Sequence, residues 1–582
     1  MRRTLHLTRG LAAAALLAAA LAGCGKEAAA PPPALFASAP DGDLPTLGAT
    51  FGATLCDLDG DGDLDLLTAD PARQVTGYRN DGDLVFTKVR DRAAISLRRT
   101  VAHGLAACDY DGDGDSDVFV GAGTEEGLQY GRNHLWRRVS DDEWQDVGSG
   151  DAAFADPIGR ADGGLWADFD GDPDLELLVF NFESPVFIAD RSRNGWRDIS
   201  DRLPWPAPVA MDPSGPPPAP RVRARSSWIH TAAVVDLDGD GRQDLVAIGR
   251  PGWSGLLLRG DDGRFTDRTT AAGLRHALWP RTPRHVAVGD LDEDGRPDLV
   301  FSYLTADEFT RSYYPVEVWL NHSQPGAPHF EMQRVIERDV EQDRPLRHAY
   351  RPESTVLADL DNDGHLDLYV VQPLQEDLVH PNRLYRGRGD GTFTDATDDW
   401  GGAGPRDSAP ESAWAADLDG DGDLDLVTLN GGEPGTAGGA ARGLAVYRNL
   451  GTGGLGPQGT ASEPADSLTV AAIADTAGYK GISITLVAAS GPAHGIGARA
   501  TLVAGKWRQT RWQHGVVSGA GTSVLPLHFG VGRTPGPYTL EITWADGSRQ
   551  TVSILSPGGA YVVRQDQDRV AAARRDHEGG SS

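Results

Sequence analysis

Between about residue 51 and residue 450 the chain alternates short apolar runs with dense polar loops, and the alternation recurs. Small and apolar residues such as Ala53-Thr54-Leu55 or Thr231-Ala232-Ala233-Val234 lead into an Asp-rich loop. An apolar run follows each loop, as in Leu64 to Leu67, Val118 to Val120 and Leu366 to Val371. Further on comes a hairpin-like stretch, for example Gly77 to Val89 or Asn382 to Thr394. Each unit therefore reads as four short strands joined by turns. Radial repetition of such units leaves only short, protected sheet edges. The expected fold class is all-β: a seven-bladed β-propeller over residues 35–455, followed by a small β-sandwich or barrel over residues 466–564. The last unit stops near Leu450 without a clear fourth strand, and Ala34 to Ser38 is expected to supply it and close the ring. Two long connections, Pro204 to Val222 and Asn321 to Pro352, read as loops.

The loops carry the chemistry. Loop 1 holds Asp57, Asp59, Asp61, Asp63 and Asp65, and loop 2 holds Asp109, Asp111, Asp113, Asp115 and Asp117. Loop 3 holds Asp168, Asp170, Asp172, Asp174 and Glu176; loop 4 holds Asp236, Asp238, Asp240, Arg242 and Asp244. Asp290, Asp292, Asp294, Arg296 and Asp298 form loop 5, and Asp359, Asp361, Asp363, His365 and Asp367 form loop 6. Loop 7 repeats the first with Asp417, Asp419, Asp421, Asp423 and Asp425. Carboxylates at positions 1, 3, 5 and 9 can converge on one cation, with a backbone carbonyl from position 7 and Gly at position 6 for the sharp turn. Such an all-oxygen donor set suits Ca²⁺, so about seven Ca²⁺ are expected. Loop 3 departs from the pattern with Pro173 at position 6 and Glu176 at position 9.

Charge sharpens this reading. The 582-residue chain has a formal net charge of -30. The seven nine-residue windows contain 33 acidic residues against Arg242 and Arg296, so they account for all of it. Clustered like charges repel unless a cation sits among them. A chain of this sign does not bind nucleic acid by simple electrostatics.

The N-terminus reads as targeting sequence. Arg2, Arg3 and Arg9 precede an apolar run from Leu11 to Leu21 that is too short to span a bilayer. It ends in Leu21-Ala22-Gly23-Cys24, which resembles the lipobox of bacterial lipoproteins. That resemblance implies cleavage before Cys24, lipidation of its thiol and an envelope location, with the outer membrane favoured because residue 25 is Gly. Residues 1–24 are then the signal, 25–34 a Pro/Ala tether, and 565–582 a polar, disordered tail. Cys56 and Cys108 fill equivalent places before loops 1 and 2, where other repeats have Ala, Val or Gly. Small buried residues are expected there, with an inter-blade disulfide as the alternative.

The sevenfold Asp motif, from about Phe51 to Asn449, resembles the FG-GAP/VCBS repeats of integrin-like propellers. After it, Gly497-Ala498-Arg499, Ser518 to Ser523 (SGAGTS), His528 to Gly532 and Trp544 to Gly547 resemble the ASPIC/UnbV domain. That pairing is similar to the cartilage acidic protein family, and it implies fold and calcium rather than a partner or a reaction.

No nucleophile elbow, HExxH, phosphate loop or dinucleotide fingerprint is present. Six residues before each loop stand Phe51, His103, Asp162, His230, Arg284, Glu353 and Glu411, with His285 beside Arg284. In a propeller these ring the channel mouth opposite the Asp loops. They read either as ordinary wet lining or as a site for a transition metal or acid/base chemistry. The function expected is a calcium-stabilised surface module binding a protein or glycan. The alternatives are a propeller enzyme acting on polysaccharide and a structural envelope lipoprotein.

Overall fold

The structure is a computed structural model. It describes residues 36–38, 52–70, 74–89, 101–123, 133–140, 143–148, 154, 160–172, 174–182, 187–192, 195–204, 229–249, 254–278, 283–303, 316–336, 353–372, 382–397, 400, 410–430, 444–451, 479–489, 494–518, 521–554, 556–565, 567 and 571–572. Cys24, the tether, Phe51 and Pro173 lie outside them. The described chain is nearly all β, with short helical turns at Ser200–Arg202 and Arg275–Leu278. No helix among the described residues is long and apolar enough to cross a membrane.

Among the described residues, seven four-stranded antiparallel units follow one another along the chain. Their first strands are Gly52–Cys56, Val101–Cys108, Arg160–Ala167, Ile229–Val235, Pro283–Gly289, Ser354–Ala358 and Pro410–Ala416. Each runs directly into an Asp loop. Apolar side chains from both faces of each sheet fill the gaps between neighbours, so the core is a series of seven inter-sheet layers rather than one centre. One layer joins Ala53, Leu55 and Phe86 of the first sheet to Trp414, Leu418 and Val446 of the seventh, which closes the ring. Phe36–Ser38 pairs antiparallel with Leu444–Asn449, so the N-terminal segment does complete the last sheet.

The second long connection is shorter than the sequence suggests. Phe330–Ile336 pairs with Val316–Asn321 as the outer strand of the fifth sheet. Its polar residues Glu331 and Gln333 flank Met332, which is itself 51% exposed, because an outermost strand has a solvated face.

The C-terminal part forms two further four-stranded sheets around one core that includes Ile484, Leu502, Phe529, Leu540 and Trp544. One of these sheets contains the parallel pair Gly481–Val487 and Ala560–Arg564. The segment expected to be a disordered tail is partly ordered: Ala571–Ala572 pairs with that sheet, and Gln565 Oε1 accepts the Ala489 N–H at 3.0 Å.

Candidate metal centres and a filled channel

Each Asp loop folds on itself through its own carboxylates. In loops 1, 2 and 4 the Asp at position 1 accepts the N–H groups of positions 4 and 6. Asp109 takes Gly112 at 2.8 Å and Gly114 at 2.9 Å, and Asp236 takes Gly239 at 2.8 Å and Gly241 at 2.9 Å. Position 3 accepts from position 5 and position 5 from position 7, as in Asp363 N–H to Asp361 at 3.2 Å and His365 N–H to Asp363 at 2.9 Å. Position 4 as well as position 6 needs the left-handed region: Gly60 has φ 82° and Gly62 φ 95°. Loops 5 and 6 meet that need with Glu293 (φ 60°) and Asn362 (φ 56°), a cost of roughly 1–2 kcal/mol each.

Position 9 does two jobs. Asp65 is fully buried; one oxygen accepts the Leu58 N–H at 2.7 Å and the other the Asn80 N–H at 2.7 Å. The same bracket recurs at Asp244, Asp298, Asp367 and Asp425, tying the loop to the third strand of its own sheet. Carboxylate oxygens have lone pairs to spare, so these residues can still face a cation. Acidic oxygens within 4.8 Å of one another gather at Asp57, Asp59 and Asp61; at Asp109, Asp111 and Asp117; at Asp168, Asp170 and Glu176; at Asp236, Asp238 and Asp244; and at Asp290, Asp292 and Asp294. Asp117 Oδ2, Asp290 Oδ1 and Asp359 Oδ1 are buried and accept no hydrogen bond. Outside loop 3, whose Asp168 is bonded to Arg259, these residues suit a metal ion.

Burial disfavours so many charges. It is the main cause holding Asp65, Asp117 and Asp298 up at about 8 and Asp290 at about 7, with neighbouring loop carboxylates adding to it. Arginines neutralise part of the rest. Arg137 lies 2.8 Å from Asp111 and 2.9 Å from Asp113, and Arg386 lies 2.7 Å from both Asp361 and Asp363. Arg242 and Arg296, at position 7, pair with Asp240 and Asp294 of their own loops. His365 pairs with Glu293, which raises its pKa.

A latch between blades is not apparent from the loops alone. Asn80, Asn321 and Asn449 end the third strands of sheets 1, 5 and 7. Their side-chain amides donate to Leu418 O at 2.7 Å, Leu237 O at 2.8 Å and Leu360 O at 2.7 Å, each in the loop of the preceding blade. The recurrent Tyr78-Arg79-Asn80, Trp319-Leu320-Asn321 and Tyr447-Arg448-Asn449 endings are the available signal.

The channel is filled by the C-terminal domain. Its hairpin, strands Gly515–Ser518 and Gly521–Val524, reaches among all seven inner strands. Ser523 Oγ accepts the Leu55 N–H at 2.9 Å in the first, while Gly521 and Thr522 pair with Leu105 and Ala106 in the second. Thr522 Oγ1 donates to Gly164 O at 2.6 Å, and Val517 packs with Ala232 and Val234. His285 Nε2 lies 2.7 Å from Val517 O, Ser354 Oγ 3.0 Å from Ser518 Oγ, and Ser518 Oγ accepts the Ala413 N–H at 2.9 Å. Inner strands present unpaired backbone edges, and here the hairpin supplies partners that water would otherwise supply. Only glycine fits at 521, where a Cβ would stand 1.7 Å from Ala53 O.

The domain then spreads over the Asp-loop face. His528 Nε2 lies 2.6 Å from Asn362 Oδ1, and Gly532 N–H donates to Asn362 O at 2.8 Å. Gly558 packs on Gly422, and Gly497 on Gln243. Arg511 is buried, with its charge facing Asp359, Asp290 and Glu293; burial lowers its pKa.

Five of the channel-mouth residues share one backbone feature. His103, Asp162, His230, Arg284 and Glu411 each fall at a β-bulge of the inner strand pair. His230 Nε2 lies 3.2 Å from Pro283 O, and Arg284 Nε donates to Glu353 Oε2 at 2.5 Å, so polar groups link neighbouring blades. Both nitrogens of His285 are engaged, Nδ1 lying 3.1 Å from Thr355 Oγ1, and burial lowers its pKa to about 4. Cys56 and Cys108 are free, buried thiols.

The FG-GAP-like repeat model matches residues 57–120, 226–301 and 359–428, and the ASPIC and UnbV model matches residues 489–570. Cartilage acidic protein 1 of Mus musculus is 24% identical over 560 residues, covering 91% of this chain and 76% of that protein. Its Xenopus tropicalis counterpart is 23% identical over 414 residues, covering 66% of this chain but only 57% of the frog protein. Among solved structures, BBS1N in complex with ARL6DN covers 73% of this chain and 99% of its own, at 12% identity and a TM-score of 0.41. The V. cholerae biofilm matrix protein Bap1 covers 72% of this chain and 91% of its own, at 11% identity and a TM-score of 0.33. The chain is thus built of FG-GAP-like repeats followed by an ASPIC and UnbV domain.

Proposed function

We propose that this protein is a calcium-binding, lipid-anchored module of the cell envelope that binds a protein or glycan through the face opposite its Asp loops. The observation that carries the choice of face is the position of the C-terminal domain. It lies against loops 4, 6 and 7 and fills the channel from that side. In each antiparallel unit the first strand ends at the Asp loop, so the joins from second to third strand and from one unit to the next leave from the other face. The long connections 205–228, 304–315, 337–352 and 431–443 all join strand ends there. Surface connections on a rigid scaffold are where binding residues concentrate.

Calcium is favoured by the donor set: carboxylates and backbone carbonyls, without Cys or His at positions 1, 3, 5 and 9. A bound Ca²⁺ would offset the crowded charge of each loop. The Asp residues at positions 1, 3 and 5 would hold it together with the acidic residue at position 9, which also keeps the loop fixed to its blade.

Replacement of 304–315 and 337–352 by short Gly-Ser segments tests the choice of face. Binding to a glycan array or to envelope proteins should disappear with the melting temperature unchanged; binding that survives both replacements would overturn it. Cys24→Ser should move the protein from the membrane to the soluble fraction.

A further inference from the structure

In the third loop a guanidinium is hydrogen-bonded to the first carboxylate, whereas Arg511, which faces Asp290 and Asp359 of loops 5 and 6, donates to His528 O and Thr510 O instead. Asp168 Oδ1 accepts a hydrogen bond from Arg259 Nη1 at 2.9 Å. Arg259 comes from the next blade, at the end of the third strand Gly255–Arg259, and its own N–H is held by Asp244 Oδ1 at 3.0 Å. It takes the place that Asn80, Asn321 and Asn449 take in their blades. The longer side chain passes the backbone carbonyl those amides reach and arrives at the carboxylate itself. Both partners are enclosed, with side chains 7% and 12% exposed.

The neighbouring carboxylate is also satisfied by the chain. Asp170, at position 3, is 5% exposed and lies 3.1 Å from Arg202 Nη2 and 3.7 Å from Arg197 Nη2. Position 6 is Pro173, which has no N–H to offer Asp168, whereas Gly114 and Gly241 do this for Asp109 and Asp236. The arginines beside loops 2 and 6 are different in kind. Arg137 and Arg386 approach positions 3 and 5 from their own blades, are 38% and 44% exposed, and have solvent to swing into. Arg138 is buried but donates to Asp115 at position 7, whose side chain is not needed as a ligand. A guanidinium stays charged at any accessible pH. A divalent cation at Asp168 would have to share its oxygens with a buried positive charge that has no room to leave.

Resting on the calcium reading above, we infer that loop 3 takes no calcium and that Arg259 of the following blade is its resident cation. The ring then consists of six calcium loops and one arginine-latched loop.

Calcium content of the full chain, measured by elemental mass spectrometry beside three single variants, tests this. Asp236→Asn in loop 4 should lose one calcium per chain, while Asp168→Asn keeps the wild-type number. Asp170→Asn, which leaves the Arg259 pair intact, should also keep it and serves if Asp168→Asn does not fold. Arg259→Gln should lower the melting temperature equally in chelator and in saturating calcium. Loss of one calcium in Asp168→Asn or Asp170→Asn would overturn the inference, as would an Arg259→Gln effect seen only with calcium present. If Asp236→Asn also lost none, the calcium reading itself would fall.

Discussion

Removing two hydroxyls from the channel hairpin should destabilise the whole propeller. Ser518 Oγ is the acceptor for the Ala413 N–H of blade 7, and Ser523 Oγ is the acceptor for the Leu55 N–H of blade 1. All four residues are essentially buried. Truncating either serine to alanine leaves a backbone donor without a partner where water does not reach, at about 1–3 kcal/mol per group. The two serines serve different blades, so the double variant Ser518→Ala/Ser523→Ala should lose about 2–6 kcal/mol. At about 2 °C per kcal/mol for a large domain, that lowers the melting temperature by about 4–12 °C. Scanning calorimetry in saturating calcium measures the shift. Hydrogen exchange on peptides containing Leu55 and Ala413 localises it, since each 1.4 kcal/mol is worth about tenfold in opening. A double variant that melts within about 1 °C of the parent, with unchanged exchange at both peptides, would refute the reasoning.

The inter-blade latch gives a second case: Asn449→Ala strands Leu360 O and Leu424 O and should cost about 2–4 kcal/mol by urea denaturation. Stability in chelator should fall as pH rises. Asp65, Asp117 and Asp298 hold their protons up to about 8 when folded but only to about 3.9 when unfolded, so the folded chain binds more protons across that window. Their contribution is fully present below about pH 4 and is lost as pH rises through about 8. Melting in chelator at pH 5.5 and pH 8 measures it, and calcium, which displaces those protons, should bind more tightly at the higher pH. Cys56 and Cys108 should resist a thiol reagent in the native protein and react only after denaturation, because both are buried and burial pushes their thiols up.

The features legible in the sequence are those written locally. Asp at alternate positions with Gly at position 6 announces a carboxylate-lined turn, and its recurrence beside short apolar runs announces the blades. The closing strand at Phe36–Ser38 can be inferred because the last blade is visibly one strand short. What stays hidden depends on partners far away in the chain. Ser518 to Ser523 carries only a family resemblance in the sequence, yet Ser523 meets Leu55 across 468 positions. Arg259 looks like any arginine ending a strand until the neighbouring loop is placed against it. Asp at position 9 reads only as a ligand, although its two hydrogen bonds show that it also fastens the loop. Phe330–Ile336 escapes a reading by pattern because an outer strand needs little apolar alternation.

Metal content of the full chain purified without chelator tests the central claim most directly. The account predicts about six calcium per chain, with no stoichiometric transition metal. Calcium near zero, or one equivalent of zinc, iron or copper in its place, would contradict it.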